Sequence, residues 1–187
     1  MAIWGEKYLP DDIEGAFPDL RKEHYHVTGK PTEKYNCIAF AVGDKWKWWW
    51  PDPYGEYHWP KNAPREATVP AFLKMFGLFG YGECDDPNLA PKSEKIAIYY
   101  DPIGTSNTPA EMTTHAARQL VSGHWKSKLG PFHQIEHYTL ECLNGIDPAY
   151  GEPIKFMDRN RKSWVVRLAR EFLWIFWRSK IEQGTKF

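Results

Sequence analysis

The chain has 187 residues, enough to bury one core without disulfides or metal staples, so a single globular domain over 1–187 is the expectation. Its 24 basic and 24 acidic side chains cancel, which removes the field that would draw it to nucleic acid or anionic lipid. No stretch approaches the ~20 apolar residues that cross a bilayer, so no stable membrane insertion is expected.

The start, "MAIWGEKYLPDDIEG", lacks a basic stretch followed by an apolar one of signal-peptide length. A cytoplasmic setting follows, with signal-peptide-independent export left open. Residues 1–34 read as an irregular lead-in carrying one short strand at "HYHVT". In "YNCIAFAVG" an apolar run begins at Cys37 behind Asn36, a good capping residue, and closes at Gly43, which predicts a short helix led by Cys37. The segment from Trp46 to Pro60 is too rich in Trp and Pro for regular structure. "VPAFLKMFGLFGYGEC" sets Pro70 near a helix start and Phe72, Met75 and Phe76 at helical spacing.

"EKIAIYYD", the two halves of "THAARQLVSGHWKSKLG" and "IEHYTLECL" then read as strands of a small antiparallel sheet. "RNRKSWVVRLAREFLWIFWRSKIEQ" predicts a terminal helix whose Val165, Leu168, Phe172 and Ile175 make a core stripe. Its additional Trp174, Phe176 and Trp177 mark a surface for the chain's own loops, a membrane interface or a protein partner. The fold class expected is α+β, with a catalytic core over 35–150 and a C-terminal extension over 151–187.

Three cysteines, Cys37, Cys84 and Cys142, fit neither a disulfide framework nor paired CxxC zinc ligands, so at least one thiol stays free. A thiol becomes a nucleophile when an imidazole takes its proton and a helix start favours the thiolate. Cys37 leads its helix. His115 shares one face of its strand with Ala117 and Gln119, which makes it the general-base candidate. A third polar group must fix its tautomer, and the next strand region offers His133, Glu136 and His137, of which His137 is selected. The backbone N–H of Cys37, with Tyr35, Asn36 or the His24/His26 region, is the oxyanion candidate.

The order of Cys helix, His strand and polar strand resembles the papain-like superfamily, specifically the NlpC-type cysteine peptidases and amidases. The blocks "YNCIAFAVG", "EKIAIYY", "THAARQL" and "WKSKLG" are similar to an uncharacterised bacterial branch of it. The resemblance implies Cys37 as nucleophile, His115 as base and His137 as orienting residue, with insertions in the 78 residues from Cys37 to His115 and the 22 from His115 to His137. Tyr35 and Asn36 stand where cell-wall-cleaving members often carry Asp or Gly.

The expected function is hydrolysis of an amide bond in a peptide or other substrate through an acyl-thioester. Tyr35, Asn36, Trp48 and Trp49 are the substrate-binding candidates, with "WKWWWPDPYGEYHWP" as a wall over the cleft or a loop packed on the body. Arg118, Lys126 and Lys128 read as solvated strand residues. His133 with His137 and "HYH" is a weak zinc pattern, so no metal and no cofactor is expected. The rival from another class is a non-catalytic binding module using the Trp-rich cleft, linked to a bacterial toxin system.

Overall fold

The computed structural model describes residues 8–103, 112–145 and 150–161. Ahead of the sheet stand α1 (Asp11–Gly15) and a 3-10 turn at Leu20–Lys22. Seven strands follow with two short α-helices among them: β1 (Tyr25–Gly29), α2 (Cys37–Val42), α3 (Val69–Gly77), β2 (Gly82–Cys84), β3 (Ser93–Asp101), β4 (Met112–Gln119), β5 (Trp125–Lys128), β6 (Gln134–His137) and β7 (Glu152–Asn160). All seven strands join one sheet in the order β1-β6-β5-β4-β3-β7-β2, and every neighbouring pair is antiparallel.

This corrects the fold expectation. The α+β, papain-like (NlpC-type) architecture is replaced by a β-rich fold, in which a seven-stranded sheet carries the molecule and α3, at nine residues, is the longest described helix. The physical reason is β7. It fills the slot between β3 and β2, so the sheet is wider than the four strand-like runs assigned to it suggested. The predicted C-terminal helix, and the partner surface assigned to it, lie outside the described residues. Among the described residues no helix is long and apolar enough to cross a membrane.

The sheet is buried on both faces, which is why β3 reads as a continuous apolar run rather than an alternation. Ile96 and Ile98 of β3 and Ala116 of β4 pack against α2, α3 and the Trp segment, with Ile38, Phe72, Met75 and Phe76. Ala97, Tyr99 and Ala117 pack on the other face with Phe17, Leu20, Trp125, Ile135, Leu140 and Leu143. Each large apolar side chain so enclosed contributes about 1.5–3 kcal/mol.

Two local features set up the site. The β3–β4 register slips between Tyr99↔His115 and Tyr100↔Thr113, so Thr114 is the extra residue of a bulge. Gly151 enters β7 with φ 77°, and a Cβ there would stand 2.0 Å from the Tyr100 carbonyl oxygen. Only glycine fits that crossing.

Candidate active site

Cys37 is fixed by the ends of its own helix. Asn36, in extended conformation, accepts a hydrogen bond from the Ala39 N–H at 3.1 Å through its side-chain oxygen. Its amide donates to the Trp49 carbonyl at 2.7 Å, tying the helix start to the Trp segment. At the far end Gly43, φ 90°, donates to Phe40 O while Asp44 donates to Ala39 O, closing a Schellman turn. The helix therefore has six residues, with Cys37 at the first of them and 5% exposed.

Helix α2 lies on β4 and β5, where those strands part. They pair only at Arg118↔Lys126 and Gln119↔Trp125. Beyond that point the Ala116 amide is turned to the Cys37 sulfur, as are the amides of Ile38 and of Cys37 itself. Burial pushes the thiol up to about 11, against the pull of these amides and of the Lys128 ammonium. At rest Cys37 is a neutral thiol.

His115 stands next to Ala116 in the chain, and alternation sends it to the other face of β4, among Tyr99 and Tyr150. It is fully buried. Its Nε2 is 2.9 Å from Ser127 Oγ, and Ser127 Oγ is 2.9 Å from His137 Nε2. His137 Nδ1 in turn lies 2.6 Å from the Thr139 carbonyl oxygen and 3.3 Å from Cys142 Sγ. Because that carbonyl can only accept, His137 carries its proton on Nδ1, and Nε2 accepts from Ser127. Ser127 then accepts from His115 Nε2–H. This leaves His115 Nδ1 as a bare acceptor, and it is buried with no hydrogen-bond partner among the described residues. Burial, reinforced by His137, holds His115 well below the usual histidine range, and burial brings His137 to about 4.

The expected direct contacts are thus partly replaced. Cys37 and His115 are not hydrogen-bonded, since the free His115 nitrogen has no partner. His137 is linked to His115 through Ser127 rather than by touching it. Glu136, an alternative for that role, faces His124 at 2.8 Å instead. Ser127 was missed because its neighbours in "WKSKLG" read as surface, although its place on the face shared by Trp125 follows from alternation.

A cavity of about 260 Å³ opens at the sulfur, lined by Asn36, Cys37, Trp48, Trp50, Tyr57, Thr114, Gly130 and Tyr150. Trp48 and Trp50 reach it because the extended backbone around the Trp49↔His58 bridge alternates. Trp49 turns the other way into the core, its indole N–H donating to Asp44 Oδ2 at 2.9 Å. Tyr35 is buried as well, its hydroxyl bonded by Gln134 and its ring beneath the Lys128 ammonium. Of the four substrate-binding candidates, Asn36 and Trp48 line the cavity, while Tyr35 and Trp49 build the wall behind it. Asn36 uses its amide on Trp49, and His26 on edge strand β1 and His24 just before it are exposed. The Cys37 amide remains from the oxyanion set.

Tyr150 links the two halves of the site. Its ring stacks on His115 at 4.1 Å and 7°, and it lines the cavity beside Cys37. The bulge residue Thr114 donates to the Tyr150 carbonyl at 2.6 Å, which holds the ring there. The turn formers around Tyr150 disguised this role. Among the described residues no group of three or more His, Cys, Asp and Glu side chains is placed to hold a metal ion.

A family model described as a domain of unknown function, DUF7689, matches residues 26–158, which run from β1 into β7 and include every residue of the site. No curated protein and no solved structure matches the chain.

Proposed function

The chain belongs to the DUF7689 family, and from its site we propose a cysteine hydrolase that cleaves an amide bond. The observation that carries the reading is the bare, buried Nδ1 of His115, with Nε2 held by the Ser127–His137 chain. An acceptor without a donor inside a protein costs free energy unless a partner arrives. We take the Cys37 S–H as the donor that arrives when the site rearranges: the Ala116 amide, next to His115 in the chain, faces the sulfur, and Tyr150 both stacks on His115 and lines the cavity with Cys37.

In the reaction the sulfur closes on His115 and passes its proton to Nδ1. The C–S bond forms as the substrate carbonyl becomes an oxyanion, facing the Cys37 amide. Collapse breaks the C–N bond, and the imidazolium gives its proton to the leaving amine. Water then adds to the thioester with His115 as base, and C–S cleavage returns the thiol and releases the acid. Ser127 and His137 keep Nε2 protonated throughout.

The test is alkylation by iodoacetamide at pH 7, followed by mass spectrometry of each cysteine. Cys37 is expected to react faster than the more exposed Cys84, and His115→Ala to slow it about tenfold or more. A Cys37 that lags Cys84 and ignores the His115 change ends the hydrolase reading. One observation favours the rival: the resting thiol is neutral and unbonded to His115, as in a pocket that only binds. In that case Cys37→Ala preserves ligand binding and Trp48→Ala or Trp50→Ala abolishes it.

A further inference from the structure

The Lys128 side chain does the opposite of what its sequence position promised. It is fully buried, and its Nζ donates to three carbonyl oxygens: Thr32 at 3.0 Å, Gly130 at 2.5 Å and Phe132 at 2.7 Å. An ammonium has three N–H groups and a neutral amine only two, so three acceptors favour the charged form against burial, which lowers the ammonium to about 8. The Tyr35 ring lies 5.4 Å from the same nitrogen. Among the described residues no carboxylate pairs with it. Enclosing a cation without a counter-charge is costly, and such sites are found where an anion forms during function.

The anion that fits is one formed at Cys37. Gly130, whose carbonyl binds Lys128, lines the cavity with Cys37, and Thr32, whose carbonyl binds it too, lies five residues before Cys37. The titratable groups around this point are Cys37 from α2, Tyr35 from the segment before it, Lys128 from β5, His115 from β4 and Tyr150 from the approach to β7. Lys128 and Cys37 act on each other, and Lys128 is the cation that acts on the sulfur.

We propose that Lys128 is a positioning residue for the Cys37 site: a buried ammonium, locked by three carbonyls, that stabilises the thiolate once Cys37 has given up its proton. The inference rests on Cys37 being the nucleophile. Lys128 is not a rival base, because losing a proton would orphan one of its three carbonyls. It supplies charge, while His115 takes the proton.

The pH dependence of Cys37 alkylation tests this without any substrate. In Lys128→Met the midpoint is expected to rise by about one pH unit or more, a fall of about tenfold in rate at pH values below it. Lys128→Arg, which keeps the charge, is expected to stay nearer the parent. A Met variant that loses stability while its Cys37 midpoint stays put marks Lys128 as a clamp only and overturns the proposal. Should the Met variant not fold, lysine NMR on the parent and on Cys37→Ala reads the same coupling from the other side. The Lys128 titration moves lower without the sulfur if the proposal holds, and an unmoved titration overturns it. Coupling in a protein that fails the His115 test supports this proposal while ending the hydrolase reading.

Discussion

The two buried imidazoles make the protein sensitive to acid. His115 and His137 are held neutral in the folded chain, both lowered first by burial. Unfolded, each titrates near 6.5, so below that pH the unfolded state binds protons that the folded state refuses. Stability is complete above about 6.5 and is lost as pH falls towards the folded value of about 4 for His137. That residue alone accounts for about 3 kcal/mol across the window. Urea unfolding at pH 7, 5.5 and 4 is expected to show the midpoint falling at each step, and His137→Asn to flatten the trend. A midpoint constant over this range contradicts the buried relay.

At this scale the sequence revealed side-chain direction better than partnership. Alternation placed His115 on one face with Ala117 and Gln119, yet the serine that links it to His137 was not singled out. Lys128 read as solvated because a strand lysine ordinarily is. Its three carbonyls come from a distant loop and the next turn, and no local pattern announces them.

Among the elements, the segment from Trp48 to Trp59 shows how a loop without regular structure becomes a rigid wall. Asp52 accepts from the Tyr54 and Glu56 amides at 3.0 Å each through Oδ1, and from the Tyr57 amide at 3.1 Å and Arg65 at 2.9 Å through Oδ2. Those bonds outweigh its partial burial and hold the Asp52 carboxyl below the usual carboxylate range. Asp52→Asn puts an NH2 where an acceptor is needed and removes the charge opposite Arg65. The expected outcome is faster proteolytic nicking between residues 53 and 58 and weaker ligand binding against the Tyr57 ring, with β-sheet content unchanged in circular dichroism. Equal nicking rates in parent and variant reject this account. The helix led by Cys37 was legible because both of its ends carry local chemistry, an Asn cap and a left-handed Gly. The Trp segment was legible only as an absence of regular structure. Which rings face the cavity depends on the phase set by Trp49↔His58: of the sequence-based pair Trp48 faces it, while Trp49 is out of phase and Trp50 takes its place.

For the whole molecule, the crossing at Gly151 joins the sheet to the site. A methyl there meets the Tyr100 carbonyl at 2.0 Å and must also accept φ 77°. Gly151→Ala is expected to cost at least ~2 kcal/mol and to shift Tyr150 off His115, since relief requires moving backbone rather than a side chain. Urea unfolding reads the first effect and the Cys37 alkylation rate reads the second. An alanine variant matching the parent in both removes Tyr150 from the site's architecture. The β-rich class was hidden because β7 carries a mixed run, "EPIKFMDRN", that gives no clean alternation. Only its pairing with β3 and β2 declares it a strand.

The late arrival of β7 also constrains how the protein is made. On the ribosome, β2 and β3 emerge long before residues 152–160, yet β7 must thread between them to complete the sheet. Until then a nascent polypeptide displays β3, apolar on both sides, with one edge unprotected. Such a chain folds after its strands have been translated rather than as they appear, and its soluble yield should respond to chaperone supply and growth temperature more than its finished stability would indicate.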